Sequence, residues 1–260
     1  MSRFYATLPS NSSVEYYPDN TVARYTTKLA DKIELEGHWE VGLAEISVPS
    51  AVQNVVRGQY YCSIYVNDVH IRTIDLPSRH HKRIRTLVDI VGRWHIEQRR
   101  QVTLQTHEPL LVEFSYFDSK ISIKLHQHPN FHYAVQFSRD LARMLGLDED
   151  KYSHNMTARR TASLATADIH SMYVYCDILE HVAVGDTKAP LLRIVDKPKR
   201  QHGNVHQIFN PILYVPLQKK NFDTVEINIM TDIGVPIPFR FGKAFVVLEF
   251  RRAIHSYFGL

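Results

Sequence analysis

Fifteen histidines are the first residues in this 260-residue chain that could do chemistry. Imidazole nitrogens hold divalent metals when a carboxylate or thiolate joins them at ligand spacing. The segment HQHPNFH puts His126 and His128 on one face of a strand, with His132 shortly beyond. No Cys or acid accompanies them, so they read as solvated histidines where a strand runs into a proline loop. Paired carboxylates are the next candidates, because two acids in different environments can divide the roles of general acid and base. Glu34 and Glu36 flank Leu35 at a strand edge, and Asp148, Glu149 and Asp150 follow a helix stop. Both groups read as solvated charges. The chain has no Gly-rich phosphate loop, no GxSxG elbow, no HExxH helix and no CxxC pair. The expectation is a protein without catalytic residues, metal or cofactor.

Charge is the second chemical signal. The formal net charge is +4, yet the window from Arg79 to Arg100 holds seven Arg or Lys against two acids, so the rest of the chain sums to about −1. Arg79, Lys82, Arg83 and Arg85 form a candidate basic contact patch, with RHHKR extending it. The patch reads either as a solvated helix face or as a contact with nucleic acid or an acidic surface, which would act through counterion release. Cys62 and Cys176 sit in the runs YYCSIYV and MYVYCDI, which suit small buried thiols in a reducing compartment and not a disulfide framework. MSRFYATLPS lacks the apolar core of a signal peptide, and no run approaches the roughly 18 apolar residues of a membrane span. The expectation is a soluble protein made in the cytosol.

The elements that must position these residues are mostly strands. Period-two runs rich in Val, Ile, Tyr and Phe predict strands over 3–8, 22–29, 39–48, 60–66, 70–75, 110–116, 120–125, 172–179, 191–195, 212–217, 224–231 and 243–251. VNDV and FDSK predict hairpin turns. Ile84, Leu87, Val88, Val91 and Trp94 predict one amphipathic helix. Phe137, Leu141, Met144 and Leu145 predict a second, with Ser138 as N-cap and Gly146 as stop. The polar run from Asp148 to Asp168 reads as a linker or long loop. Eight of the strands lie outside the middle third, three before it and five after, which is the number a jelly roll needs to fold two sheets over one core. The fold expected is mainly β: a single jelly-roll β-sandwich formed by both chain ends (1–50 and 168–260), with residues 51–167 inserted as a smaller α+β domain.

The last strands carry a further signal. In FDTVEINIM, Val225, Ile227 and Ile229 point one way while Thr224, Glu226 and Asn228 point the other, so that strand has one wet face. In KAFVVLEFRR, Ala244, Val246, Leu248 and Phe250 make one face, but Phe245 and Val247 put large apolar groups on the other as well. Either the inserted unit or another copy of the chain must cover them. Phe245 and Val247 are thus the candidate packing or subunit interface.

Three blocks resemble a known family: 4–49 (FYATLPSNSS…WEVGLAEISVP), 172–195 (MYVYCDI…PLLRIV) and 214–252 (YVPLQKKNFDTVEINIM…VPIPFRFGKAFVVLEFRR). They are similar, in order as well as content, to the penton (minor capsid) proteins of Polinton (Maverick) elements and adintoviruses. The resemblance implies a structural protein that forms homopentamers, closes the fivefold vertices of an icosahedral virion and contacts a double jelly-roll major capsid protein. Packaged DNA and a host receptor are further partners it leaves open. A jelly-roll ligand- or receptor-binding module without a capsid role is the competing reading, with Tyr16, Tyr17, Tyr60 and Tyr61 as its exposed aromatics.

Overall fold

A computed structural model of the chain describes residues 3–56, 58–79, 81, 83–90, 112–125, 129–164, 169–197 and 203–253. They fall into two compact units, Met1–Val52 with Ile169–Leu260, and Gln53–Asp168. The first unit begins with β1 (Arg3–Pro9), β2 (Arg24–Glu34) and β3 (Trp39–Pro49). The second holds β4 (Tyr61–Val66), β5 (Val69–Asp75), α1 (84–90), β6 (Val112–Phe117), β7 (Lys120–Leu125), β8 (Tyr133–Phe137), α2 (Arg139–Leu145), β9 (Lys151–Tyr152) and β10 (Met156–Thr157). The first unit resumes with β11 (Ser171–Cys176), β12 (Val182–Val184), β13 (Thr187–Ala189), β14 (Leu191–Asp196), β15 (Asn204–Ile208), β16 (Tyr214–Pro216), β17 (Asn221–Met230) and β18 (Phe245–Arg252).

Two antiparallel sheets build the first unit. One runs β1-β18-β3-β15 with β16 also on β3; the other runs β14-β11-β17-β2. Strands from the beginning and end of the chain therefore lie side by side, with Leu8 opposite Val246 and Phe4 opposite Phe250. The period-two pattern dictates which side chains enter the core. Val225, Ile227 and Ile229 of β17 and Val246, Leu248 and Phe250 of β18 are all buried, in one cluster with Leu8, Leu43, Val174 and Tyr25. Removing such side chains from water contributes about 1.5–3 kcal/mol each. The architecture is β-rich and jelly-roll-like. One expected strand, 212–217, is shortened to β16, which pairs with the first half of β3; β15, which was not expected, pairs with the second half, and residues 209–213 run between them. They cross Gly42, where a Cβ would stand 2.6 Å from the Leu213 carbonyl oxygen, so only glycine allows the crossing.

In the second unit the sheets run β5-β4-β8-β9 and β10-β7-β6. Their inward residues, among them Ile121, Ile123, Val135 and Phe137, share a core with Leu87, Leu141 and Met144 of the helices. The hairpin turns need left-handed backbone, and Asn67, Asp68, Asp118 and Ser119 take φ of 49°, 61°, 48° and 60°. For α2, Ser138 Oγ accepts from the Leu141 N–H, and Gly146 ends the helix at φ 75°. Phe137, read as part of that helix, is instead the last residue of β8; both placements bury its ring in the same core. Residues 84–90 are helical, while Val91 and Trp94 of the expected stripe lie outside the described residues. The run 148–168 is not wholly loop, since β9 pairs with β8 and β10 with β7. No helix among the described residues is long and apolar enough to cross a membrane.

Candidate functional site

The outward face of the first sheet has a composition that needs explaining. Because strand side chains alternate, Phe245, Val247, Glu249 and Arg251 of β18 point away from the core that holds Val246, Leu248 and Phe250. Beside them stand Tyr5 and Thr7 of β1, Glu45 and Ser47 of β3, His206 and Ile208 of β15 and Tyr214 of β16. Phe245 and Val247 are half-buried, while Tyr5 is 57% exposed and Ile208 68% exposed. The Phe245 ring lies 5.7 Å from that of His206, whose Nε2 is 2.9 Å from Glu45 Oε2. This end of the face is an apolar patch bordered by one polar pair.

The other end is organised around a buried charge. Glu249 is 2% exposed, and its Oε1 accepts from Arg3 Nε and from the Tyr214 hydroxyl, both at 2.9 Å. A carboxylate removed from water requires such partners. The Tyr5 hydroxyl is held above the ordinary tyrosine range, first by its hydrogen bond to Glu249. Burial, and then the hydrogen bond to Glu249, does the same to Tyr214. Arg251 lies 3.5 Å over the Tyr214 ring and donates two hydrogen bonds to Glu40 Oε2, at 2.9 and 2.8 Å. Nothing in this cluster presents a nucleophile or base to a cleft. Its chemistry is that of a locked polar lattice, which keeps the strands in register beside the apolar patch. The period of two put Phe245 and Val247 on the outward face, where the structure also has them. Sequence reasoning missed Glu249 and its partners, because Arg3 and Tyr214 reach it from distant parts of the chain.

The other sequence candidates do not gather into one site. Arg79, Arg83 and Arg85 are exposed, and Lys82 lies outside the described residues. His81 does not extend that basic patch. It is buried, its N–H donates to Asn54 Oδ1 and its carbonyl accepts from Asn54 Nδ2, both at 2.9 Å. Burial of the ring and backbone pairing are what turn it inward. His126 and His128 lie outside the described residues, and His132 is exposed beside Asn67. No three His, Cys, Asp or Glu among the described residues are grouped to hold a metal. Glu34 pairs with Lys32 at 2.6 Å, which holds its carboxyl below the ordinary range, and Asp148 pairs with Arg160 at 3.1 Å. Of the aromatics assigned to a ligand surface, Tyr16 is exposed and Tyr17 and Tyr61 are half-buried. Tyr60 is buried in the core of the second unit, because its strand-edge ring packs locally. Cys62 and Cys176 are both free, and burial pushes each thiol up to about 12.

No family model and no curated protein sequence matches the chain. Among solved structures, the penton protein of mavirus is similar at a TM-score of 0.45 and 10% identity, over 96% of this chain and 100% of that one. A likeness of that degree is too distant to place the chain in a family.

Proposed function

We propose that this protein is a structural capsid component, the penton (minor capsid) subunit of a Polinton- or adintovirus-like virion, and not an enzyme. In this reading residues 1–50 and 168–260 form a single jelly roll, and residues 51–167 are an inserted domain. The observation that carries it is where the three resembling blocks fall. They supply β1 to β3, β11 to β14 and β16 to β18, and these are nearly all the strands of the two sheets of the first unit. The similarity is thus concentrated in one folded body and spans both of its layers.

The outward face of the first sheet then acts as the lateral contact between copies. A ring closes when one surface of a subunit meets a different surface of the next around a rotation axis. The half-buried Phe245 and Val247, with Tyr5 and Ile208 beside them, supply the apolar part of one such surface. Charged residues at its margin, Glu45 and Arg3, fix register more than they add affinity. The homopentamer occupies the fivefold vertices against a double jelly-roll major capsid protein, and the virion is where the protein resides. Arg79, Arg83 and Arg85 are an exposed basic contact surface in the other unit, with DNA or an acidic protein as its partner.

Co-expression with the major capsid protein of the same element tests the reading. Icosahedral reconstruction of the resulting particles should place five copies at each vertex. Particles that close with vertices empty of this chain would refute it.

A further inference from the structure

At one end of the first unit the loop after β1 and the segment before β18 enclose an open cleft of about 590 Å3. That volume falls in the range of small-molecule sites. Both walls are fixed by hydrogen bonds. On one wall the Asn20 carboxamide donates to the Thr26 carbonyl and accepts from the Thr26 N–H, both at 2.9 Å. On the other, the Arg240 N–H donates to the Ala51 carbonyl and the Ile237 N–H to the Ile229 carbonyl, both at 2.9 Å. The two walls are tied at the base, where the Ala244 N–H donates to Ser10 Oγ at 3.0 Å. A cleft so braced needs little ordering to receive a ligand, which lowers the entropic cost of binding.

Its lining chemistry is selective. Among the described residues Arg240 and Lys243 are the charged ones that line it, and no acid does. Among the described residues neither has an ion-pair partner; Arg240 lies 5.6 Å from the centroid of the Phe241 ring. Phe239 and Phe241 supply aromatic surface, and Phe241 is 63% exposed. Asn11 adds a carboxamide able both to donate and to accept.

We propose that this cleft binds an anionic saccharide, carboxylated or sulfated. Charge complementarity favours an anion, since among the described residues two cations without an ion-pair partner face the cleft and no acid lines it. Aromatic rings beside them suit the C–H faces of a pyranose, and Asn11 suits its hydroxyls. The broad mouth leaves the remaining hydroxyls in water, so a polyhydroxylated ligand is not forced to shed its hydration. A single copy contains every one of these groups, so the site does not depend on pentamer formation or on the capsid reading.

Isothermal titration of the full chain with 3′-sialyllactose, a heparin-derived tetrasaccharide and lactose tests the proposal. At least one anionic sugar should bind, with lactose ten-fold weaker or more. Sialyllactose binding alone assigns a carboxylate, and tetrasaccharide binding alone a sulfate. Arg240→Ala with Lys243→Ala should weaken the anionic sugars at least ten-fold with an unchanged melting temperature. Phe241→Ala, at an exposed position, should weaken them without removing the preference for charge. Binding of neither anionic sugar, equal binding of lactose, retained affinity in the double variant, or equal affinity for an oligo-glutamate peptide would overturn it.

Discussion

The two sheets of the first unit share one core but differ on their outward faces. Outside the second sheet, Glu226 of β17 bonds to Arg24 at 3.2 Å and to Asn228 at 2.7 Å, with Thr224 and Thr26 beside them. That part of the face is mostly polar, although Asn228 Oδ1 is buried there without a hydrogen-bond partner and Ile194 of β14, beside Tyr173 of β11, is 48% exposed on the same side. Outside the first sheet, Phe245 and Val247 occupy the equivalent positions of β18, and Tyr5 and Ile208 flank them. The inward chemistry of the sheets is the same, so core formation does not explain the difference. An outward apolar patch on a folded body marks an interaction surface. On the proposed reading the contact falls on the first sheet, whose apolar groups are contiguous on β18, β1 and β15.

The strongest test of that division compares the two sides of one strand. Phe250 lies inward, stacked 4.6 Å from Phe4, and Phe250→Ala should cost about 3–5 kcal/mol in a denaturant titration. Phe245→Ser with Val247→Ser, both half-buried, should cost the monomer less than Phe250→Ala in the same titration while weakening assembly, read by sedimentation velocity. Full burial of such a side chain is worth about 1.5–3 kcal/mol, and each is already half-buried in one copy, so the part left for association is on the order of ten-fold per side chain at most. The matched outward change on the second sheet, Glu226→Gln with Asn228→Ser, should leave assembly intact. If both pairs act alike, the division fails.

Gly42 sharpens the same comparison, because residues 209–213 cross the first sheet there. Gly42→Ala would press a Cβ against the Leu213 backbone and should cost about 1–3 kcal/mol by thermal melting, with assembly weakened by displacement of Tyr214. On the core side of the second sheet, Cys176 has its thiol pushed up to about 12 from an ordinary value of 9.0, chiefly by burial. The neutral thiol is the native form, so its contribution is complete below pH 9 and is lost as pH rises toward 12. Cys176→Ala should flatten that part of the alkaline decline in stability. The smallest effect is expected at Thr27, also on the core side of β2. Its Oγ1 is buried without a hydrogen-bond partner, so Thr27→Val should raise stability by about 1 kcal/mol.

Local signals were legible before the structure. The alternation in 224–230 and 244–250 identified the inward faces, and Ser138 with Gly146 marked both ends of a seven-residue helix. Six strands escaped notice, β8, β9, β10, β12, β13 and β15, and two of them did so for opposite reasons. YAVQF of β8 abuts a helical stripe and shares Phe137 with it, while NVHQI of β15 is too polar to show a period, since its side chains stay mostly exposed. The polar lattice at Glu249 and the cleft at the loop end were beyond sequence reading. Each joins residues from opposite ends of the chain, as with Ser10 and Ala244, which lie 234 positions apart. Periodicity reports which face a residue takes, but not which distant residue meets it there.

Native mass spectrometry of the purified full chain is the most direct test of the outward face as a subunit contact. The account predicts a dominant species at five times the 30.2 kDa chain mass, lost in the Phe245→Ser, Val247→Ser variant. A native chain that remains monomeric at every concentration, or a double variant that assembles as the native chain does, would contradict it.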